Sequence, residues 1–238
     1  MHVRPEALTA IVASGRPIEV GILLFPDVEI LDFAGPFEVF SVASRVARRN
    51  GALATVPFRV STVAAQRETV VARHGLRVEP DHDFADAPAF DLLIVPGGVM
   101  TQPLADPATL DWVAAAARAA TLTASVCTGA FVLARLGLLD GLEATTHWED
   151  IPDLRAAFPD VRVVEDVPFV DEGQIVTSAG ISAGIGMSLH LVGRVLGTEL
   201  ASATARQMQY DWTPRASRDL IDDVRIDDTP LTVNYLSK

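Results

Sequence analysis

The chain contains 238 residues, of which 49% are hydrophobic, and its formal net charge is −12. This length favours a single domain with a sizeable core, and the negative charge argues against binding to nucleic acid or anionic membranes, because phosphate contacts need clustered Lys and Arg. The single cysteine, Cys127, excludes an intrachain disulfide and a cysteine-rich zinc site, and it suits a reducing cytoplasm.

The first 17 residues are predicted to form a short extension on the surface. Their apolar stretch covers only residues 7–13, and Glu6 interrupts the basic region that an export signal needs. No apolar run in the sequence approaches the roughly 20 residues of a membrane span. We therefore expect a cytoplasmic protein whose domain begins at Ile18.

From residue 18 onwards the hydrophobic pattern alternates between strands and helices. Nearly continuous apolar runs are typical of strands that are covered on both faces, whereas a period of 3.6 residues indicates helices. The predicted strands cover residues 18–25, 57–64, 75–80 (a short strand or hairpin arm), 91–95, 121–126, 142–146, 161–165 and 175–178. The predicted helices cover residues 36–48, 107–120, 130–137, 152–158, 181–197 and 198–210. Pro36 suits the first turn of its helix.

This alternation predicts an α/β fold, a three-layer sandwich with a mainly parallel, flavodoxin-like sheet and helices on both faces. We expect one domain over residues 18–212, followed by a polar C-terminal tail over residues 213–238. In such sheets, ligands bind at the carboxyl ends of the strands near a topological switch point. Three turns that carry reactive or glycine residues fall at predicted strand ends: residues 25–36, 96–101 and 127–129.

Cys127 lies between a predicted buried strand and a predicted helix. A nucleophile at such a sharp turn needs small residues two positions before and after it, and these are Ser125 and Gly129. The following helix would direct its N-terminus at the sulfur, which lowers the pKa of a thiol and favours the reactive thiolate. The alternative is that Cys127 is simply a small buried hydrophobic residue, as most free cysteines are.

Asp32 is the first candidate for an acid or base. It stands among apolar neighbours, including Leu31 and Phe33, so that burial would raise the pKa of its carboxyl and allow it to exchange a proton. Glu38 competes for this role, but its place after Pro36 has an easy structural explanation. Asp32 has one as well, since acidic residues stabilise helix starts.

Glycines and a histidine supply the other candidate site residues. Gly97 and Gly98 would let the backbone approach a ligand and present amides to a developing negative charge, together with the amide of Thr128. They would also suit an ordinary tight turn. His147 would serve as a general base or as a partner of the thiolate, although a single histidine between a strand and a helix is more often structural.

The sequence favours neither a metal nor an organic cofactor. Asp81, His82 and Asp83 are adjacent in a polar turn and cannot easily converge on one ion. The glycine-containing segments at residues 15–17 and 184–186 do not match a dinucleotide-binding fingerprint.

Taken together, these segments resemble the ThiJ/PfpI superfamily, whose fold is like that of class I glutamine amidotransferases. The matching segments occur in family order and are residues 21–26, 31–40, 96–98, 125–130, 145–148 and 177–184. The Leu-Asp-x-x-Gly-Pro-x-Glu-Val-Phe pattern from Leu31 and the Cys-Thr-Gly pattern from Cys127 are similar to the isonitrile hydratase branch. Gly186 departs from the acidic residue that the family often has at this position.

The resemblance implies an activity and roles for the site residues. Cys127 would be the nucleophile, Asp32 the acid/base carboxyl and Thr128 an aid to water or to the intermediate, while backbone amides near Gly98 would stabilise charge. The implied reaction is cofactor-independent hydration of an isonitrile, a small-molecule substrate, to an N-substituted formamide. The resemblance also implies a homodimer.

Two alternatives follow from the same resemblance. The segments also occur in the amino-terminal sensor domains of AraC-type regulators, which predicts a non-catalytic small-molecule or redox sensor. These regulators carry a helix-turn-helix region, for which we expect no room after Tyr210. The other alternative is glyoxalase or amidase chemistry of the same superfamily, in which His147 would have a larger role in catalysis than in isonitrile hydration.

Overall fold

The computed structural model describes residues 6–49 and 55–214, so that nearly all of the predicted tail over residues 213–238 lies outside the described residues. The strands are β1 (Ile18–Leu23), β2 (Phe58–Ala64), β3 (Val70–Val71), β4 (Arg77–Val78), β5 (His82–Asp83), β6 (Leu92–Val95), β7 (Leu122–Val126), β8 (Glu143–Ala144), β9 (Arg162–Val163), β10 (Phe169–Asp171) and β11 (Ile175–Ser178). The α-helices are α1 (Glu6–Ala13), α2 (Ile30–Arg49), α3 (Thr101–Ala105), α4 (Pro107–Ala119), α5 (Gly129–Arg135), α6 (Ile151–Ala157), α7 (Ala183–Leu196) and α8 (Thr198–Gln207).

The centre of the fold is a seven-stranded sheet with the order β10-β11-β7-β6-β1-β2-β5. All neighbours in it run parallel except β10 and β11. The chain builds the sheet outward from β1 in one direction through β2 and β5, and then returns to add β6 on the other side of β1. The strand order therefore reverses between β1 and β6, where ligands bind in sheets of this kind.

Helices cover the central strands, and this explains their apolar composition. The β6 strand is buried along its whole length, and Ile18, Val20 and Ile22 of β1 are fully buried. Helices α2, α7 and α8 pack against one another, and α5 contacts β6 and β7. The predicted mainly parallel α/β sandwich is confirmed.

The N-terminal segment is more than the surface extension that the sequence predicts. Residues 6–13 form α1, in which Leu8 and Val12 are buried in the core. The hydroxyl of Thr9 donates a hydrogen bond to the carbonyl oxygen of Val195 in α7 at 3.0 Å. This helix therefore packs on the C-terminal part of the domain.

The start of α2 differs from the prediction. The helix begins at Ile30, so Pro36 lies inside it rather than in its first turn. Because proline has no amide hydrogen, this costs the helical hydrogen bond that would reach the carbonyl of Asp32. The earlier start places Asp32 in the first turn of the helix.

Three predicted strand segments do not join the central sheet. The segments 142–146 and 161–165 contribute only β8 and β9, which pair with each other in a separate two-stranded sheet. The predicted hairpin arm at 75–80 contributes β4, which pairs antiparallel with β3. In the part of the chain that the structure describes, no helix is both long and apolar enough to cross a membrane.

Candidate active site

The site lies where three neighbouring strands end. Asp32 follows β1, Gly97 and Gly98 follow β6, and Cys127 follows β7. These strands are adjacent in the sheet and parallel, so their carboxyl ends reach the same edge. The structure thus brings the three sequence-predicted turns together at the predicted switch point.

Cys127 occupies a tight turn between β7 and α5. Its φ angle is 55°, in the left-handed region that non-glycine residues seldom adopt. The Cys127 amide donates to the carbonyl oxygens of Ser178 and Ala179, at 3.1 Å and 3.3 Å. The hydroxyl of Thr146 donates to the Cys127 carbonyl oxygen at 2.9 Å. Backbone bonds on both sides of the residue therefore hold the strained turn in place.

The small residues around Cys127 meet the predicted steric requirement. A Cβ atom added at Gly129 would lie 2.1 Å from the carbonyl oxygen of Val95, so only glycine fits there. Ser125 is completely buried, and its hydroxyl has no hydrogen-bond partner. The turn has the form of the predicted nucleophile elbow.

Asp32 is a fully buried carboxyl group next to the cysteine. The Gly97 amide donates to its Oδ2 atom at 3.0 Å, whereas its Oδ1 atom has no hydrogen-bond partner. Burial raises the pKa of Asp32 from 3.8 to about 7, against the opposing effect of the Gly97 amide. The Cys127 thiol and the Ile181 amide also lower this pKa. Asp32 therefore has the proton affinity of a general acid or base at neutral pH.

The prediction that the elbow lowers the pKa of Cys127 is wrong for this site. Burial and then the charge of Asp32 raise the pKa of the thiol to about 12. The backbone amides of Thr128 and Ile181 act in the opposite direction but do not compensate. The reason is that Cys127 is 93% buried and faces an acidic neighbour, and these two effects outweigh that of the helix N-terminus. The thiol is therefore protonated at rest and needs a base.

The glycines after β6 are required for close approach, but their amides are already used. The Gly97 amide serves Asp32, and the Gly98 amide donates to the Thr128 hydroxyl at 2.9 Å. That hydroxyl also donates to the Gly98 carbonyl oxygen at 3.1 Å. Added Cβ atoms would lie 2.6 Å from the Thr128 nitrogen at Gly97 and 2.4 Å from the Asp27 carbonyl oxygen at Gly98. The charge-stabilising role expected for these two amides stays a prediction.

His147 lines the same cleft as Cys127. Its Nδ1 atom accepts from the Glu149 amide at 3.4 Å and lies 3.4 Å from a carboxylate oxygen of Asp150. The ring packs directly on Gly180, where an added Cβ would lie 2.0 Å from Cδ2. These contacts give His147 a structural role at the start of a short 3₁₀ turn, Trp148–Asp150, within reach of the cleft.

The cleft above Cys127 has a volume of about 400 Å³ and includes residues that sequence reasoning missed. Ile181 lines it with a φ angle of 52°, which is unusual for a β-branched residue. Glu29 and Arg73 form a second wall as an ion pair with an N···O distance of 3.7 Å. The matched segment 177–184 pointed to the region of Ile181, but no sequence signal indicated Glu29 or Arg73.

Glu38, the competing acid, lies outside the cleft. Its side chain is 56% exposed and forms an ion pair with Arg45 at 3.4 Å. Across residues 6–49 and 55–214, no group of three or more His, Cys, Asp or Glu side chains is placed to hold a metal ion. What the site provides is a thiol that lines the cleft and a buried carboxyl beside it, with which the thiol can exchange a proton.

Comparison with known proteins gives one family and two kinds of relatives. A model of the DJ-1/PfpI family matches residues 19–194. An isonitrile hydratase of Pseudomonas putida is 36% identical over 202 residues, which cover 83% of this chain and 80% of that protein. GbdR, an HTH-type transcriptional regulator of Pseudomonas aeruginosa, is 33% identical over 196 residues, which cover 82% of this chain and 52% of the regulator. The chain thus spans about half the length of that regulator.

A solved structure shows the same fold. The crystal structure of a ThiJ/PfpI family protein from Pseudomonas syringae matches with a TM-score of 0.72 and 25% sequence identity. The match covers 84% of this chain and 78% of the other.

Proposed function

The chain belongs to the DJ-1/PfpI family, and from that premise we propose that it hydrates an isonitrile, R–N≡C, to an N-substituted formamide. The observation that carries the proposal is the pair formed by Asp32 and Cys127. A carboxyl with a pKa near 7 is partly ionised at neutral pH, so it can accept the thiol proton as the carbon–sulfur bond forms and return it later in the reaction. The high pKa of the thiol opposes proton transfer before that bond forms. The 36% identity to an isonitrile hydratase over 83% of the chain supports this choice of substrate.

In the first step the sulfur of Cys127 bonds to the terminal carbon of the isonitrile. The thiol proton passes to ionised Asp32 and from there to the same carbon, which gives a thioimidate, R–N=CH–S, on the enzyme. The resting thiol thus becomes nucleophilic only when the carboxylate accepts its proton.

In the second step water adds to the thioimidate carbon. Asp32 accepts a proton from this water, and the Thr128 hydroxyl helps to position it. Proton delivery to nitrogen and cleavage of the carbon–sulfur bond release R–NH–CHO and restore the Cys127 thiol. The reaction consumes one isonitrile and one water, and it needs no oxidant, reductant or metal.

The test is formamide formation from a small panel of alkyl and aryl isonitriles with the purified protein. We expect Cys127→Ala and Asp32→Asn each to lose at least about 100-fold in kcat/KM, which is the usual scale for a nucleophile or an acid/base group. Glu38→Gln is the matched control, since it neutralises an exposed acid on the same helix. Full turnover by Cys127→Ala would refute the mechanism.

A ligand sensor is the second candidate, and the regulators among the relatives favour it. A buried thiol with a pKa of about 12 is poorly suited to react with peroxide, so this candidate is a small-molecule sensor rather than a redox sensor. Saturable isonitrile binding without formamide formation would favour it over the enzyme.

Glyoxalase or amidase chemistry is a further alternative, in which His147 would take a direct part. Comparing His147→Ala with the unaltered protein on an isonitrile and on methylglyoxal separates the two reactions. A selective loss of methylglyoxal turnover would favour the alternative. Homodimerisation and a cytoplasmic location, both expected from the sequence, stay predictions.

A further inference from the structure

The cleft above Cys127 has an asymmetric distribution of charge. Its outer wall includes Glu149 and Asp150, whose side chains are 64% and 35% exposed. Among the described residues, the only basic group that pairs with either acid is the His147 imidazole, at 3.9 Å and 3.4 Å, and it is charged only when protonated. Two carboxylates on this wall are therefore not balanced by a permanent cation.

The other charged residues that line the cleft do not compensate for these carboxylates. Arg73 is the one arginine among the lining residues, and its guanidinium already pairs with Glu29 at 3.7 Å. His74 lines the cleft beside it and is exposed. With neutral histidines, the Glu29–Arg73 pair contributes no net charge and the cleft as a whole is negative.

The negative field reaches the reacting atom. Burial and the charge of Asp32 are the main causes that raise the pKa of the Cys127 thiol, and the charge of Asp150 on the cleft wall adds to them. Burial is the largest cause that raises the pKa of Asp150, His147 lowers this pKa, and the charges of Asp153 and Glu149 raise it further. Beside Cys127, but not among the residues that line the cleft, Asp32 adds a completely buried carboxyl whose Oδ1 atom has no hydrogen-bond partner.

We propose that the acidic wall formed by Glu149 and Asp150 sets the charge selectivity of the site, so that it accepts substrates whose R group carries an ammonium group and excludes those that carry a carboxylate. A low-dielectric cleft lined by one sign of charge concentrates ligands of the opposite sign and repels those of the same sign. The identification of the substrate as an isonitrile rests on the proposed function, whereas the charge selectivity belongs to the cleft itself.

The first test measures this selectivity without turnover. Cys127 is the chain's only cysteine, so its labelling rate reports access to the cleft. The probes are 2-(trimethylammonium)ethyl and 2-sulfonatoethyl methanethiosulfonate, which both form a mixed disulfide on the sulfur and release methanesulfinate. We expect the cationic reagent to be favoured at least about tenfold, after division by the same rate ratio for free cysteine. A ratio of one or below would overturn the proposal.

The double substitution Glu149→Gln/Asp150→Asn isolates the wall. We expect it to reduce the rate ratio about tenfold, and high salt to reduce the ratio of the unaltered protein, because exposed charges are screened. The matched control is Asp111→Asn/Glu199→Gln, which removes the same number of charges from exposed positions on α4 and α8 outside the cleft. An equal reduction of the rate ratio in the control variant would show that the net charge of the protein causes the effect, and it would contradict a specific role for Glu149 and Asp150.

Arg73→Gln tests the opposite possibility, in which Arg73 makes the cleft selective for anions. If Arg73 attracts anionic substrates, this substitution slows the anionic reagent selectively. We expect the opposite, a larger preference for the cation, since Glu29 then loses its partner. Selective slowing of the anionic reagent would contradict the proposal.

A second test uses isonitriles of matched size that carry ammonium, neutral or carboxylate groups. The expected order of kcat/KM is ammonium, neutral, carboxylate, with about tenfold between the first and the last. Failure to turn over any of them would refute the proposed function, while the labelling ratio would still decide the charge selectivity. Turnover with carboxylate preferred would overturn the inference and leave the proposed function standing.

Discussion

The charge of Asp32 raises the pKa of the Cys127 thiol, while the thiol lowers the pKa of the buried carboxyl beside it. The two groups are therefore electrostatically coupled and form one unit at the edge of the sheet. At neutral pH the sulfur holds its proton and the carboxyl is close to half-ionised. This pair of groups and the backbone that holds it lead to four predictions on stability and activity.

Stability should fall as pH rises through the range in which Asp32 ionises. The pKa of Asp32 is raised from 3.8 to about 7 by burial, so between these values the folded protein binds a proton that the unfolded chain has lost. The stabilising contribution of Asp32 to the free energy of unfolding is complete below about pH 4 and is lost as pH rises through about 7. Between pH 5 and pH 8, we expect this group to cost roughly 2–3 kcal/mol of unfolding free energy.

Urea unfolding at the two pH values checks this expectation. Asp32→Asn should remove most of the pH-dependent loss, because an amide does not ionise, whereas Glu38→Gln should leave the loss in place. The same slope in Asp32→Asn as in the unaltered protein would mean that another group causes the pH dependence.

Isonitrile hydration should require ionised Asp32. Because the carboxylate accepts the thiol proton, kcat/KM should fall about tenfold per pH unit below the Asp32 pKa of about 7 and level off above it. A pH profile of kcat/KM, with substrate stability checked separately, measures this. A maximum near pH 5 would be incompatible with Asp32 as the proton acceptor.

The packing of His147 on Gly180 predicts a coupled pair of substitutions. An added methyl group at Gly180 would lie 2.0 Å from the His147 ring, so Gly180→Ala should cost about 1–3 kcal/mol of unfolding free energy. Combining it with His147→Ala should recover most of this loss, since the obstructing ring is gone. Additive losses in denaturant unfolding would show that the clash is not with His147.

Gly186→Ala is the matched control for this experiment. Gly186 lies in α7, and an added Cβ there would meet only the Tyr210 hydroxyl at 4.0 Å. We expect this substitution to stabilise the protein by roughly 0.5–1 kcal/mol, because alanine favours a helix over glycine.

The Thr128 hydroxyl links the elbow to the end of β6 through both polar groups of Gly98. Thr128→Val keeps the shape but removes both hydrogen bonds, which should cost about 1–3 kcal/mol because the Gly98 amide loses its partner. Thr128→Ser should retain most of the stability. Equal unfolding free energies for the valine and serine variants would argue against this link.

The meeting of the strand ends followed from the sequence. The apolar runs that became β1, β6 and β7 required cover on both faces, and a parallel sheet places their ends at one edge. The need for glycine at position 129 followed from the sharp turn and is confirmed by its contact distance to Val95.

The electrostatic state of the site did not follow from the sequence. Helix position alone predicted a lower pKa for Cys127, but the burial of the thiol and the nearness of Asp32 depend on tertiary packing. The left-handed conformation of Ile181 also contradicts the preference of a β-branched residue, so it arises from the surrounding backbone. The two-residue strands β8 and β9 are too short for a periodic pattern, and their pairing depends on the same tertiary context.

The bonds that assemble the site also order the events of folding. The Gly97–Asp32 hydrogen bond joins residues 65 positions apart, and the Thr9–Val195 bond joins residues 186 positions apart. Closing such long loops costs chain entropy that the new contacts must offset, so we expect these bonds to be completed late in folding. During synthesis, the contacts of α1 with α7 form only after residues 183–196 have been made. A nascent chain therefore carries the thiol of Cys127 long before it has the chemistry of the finished site.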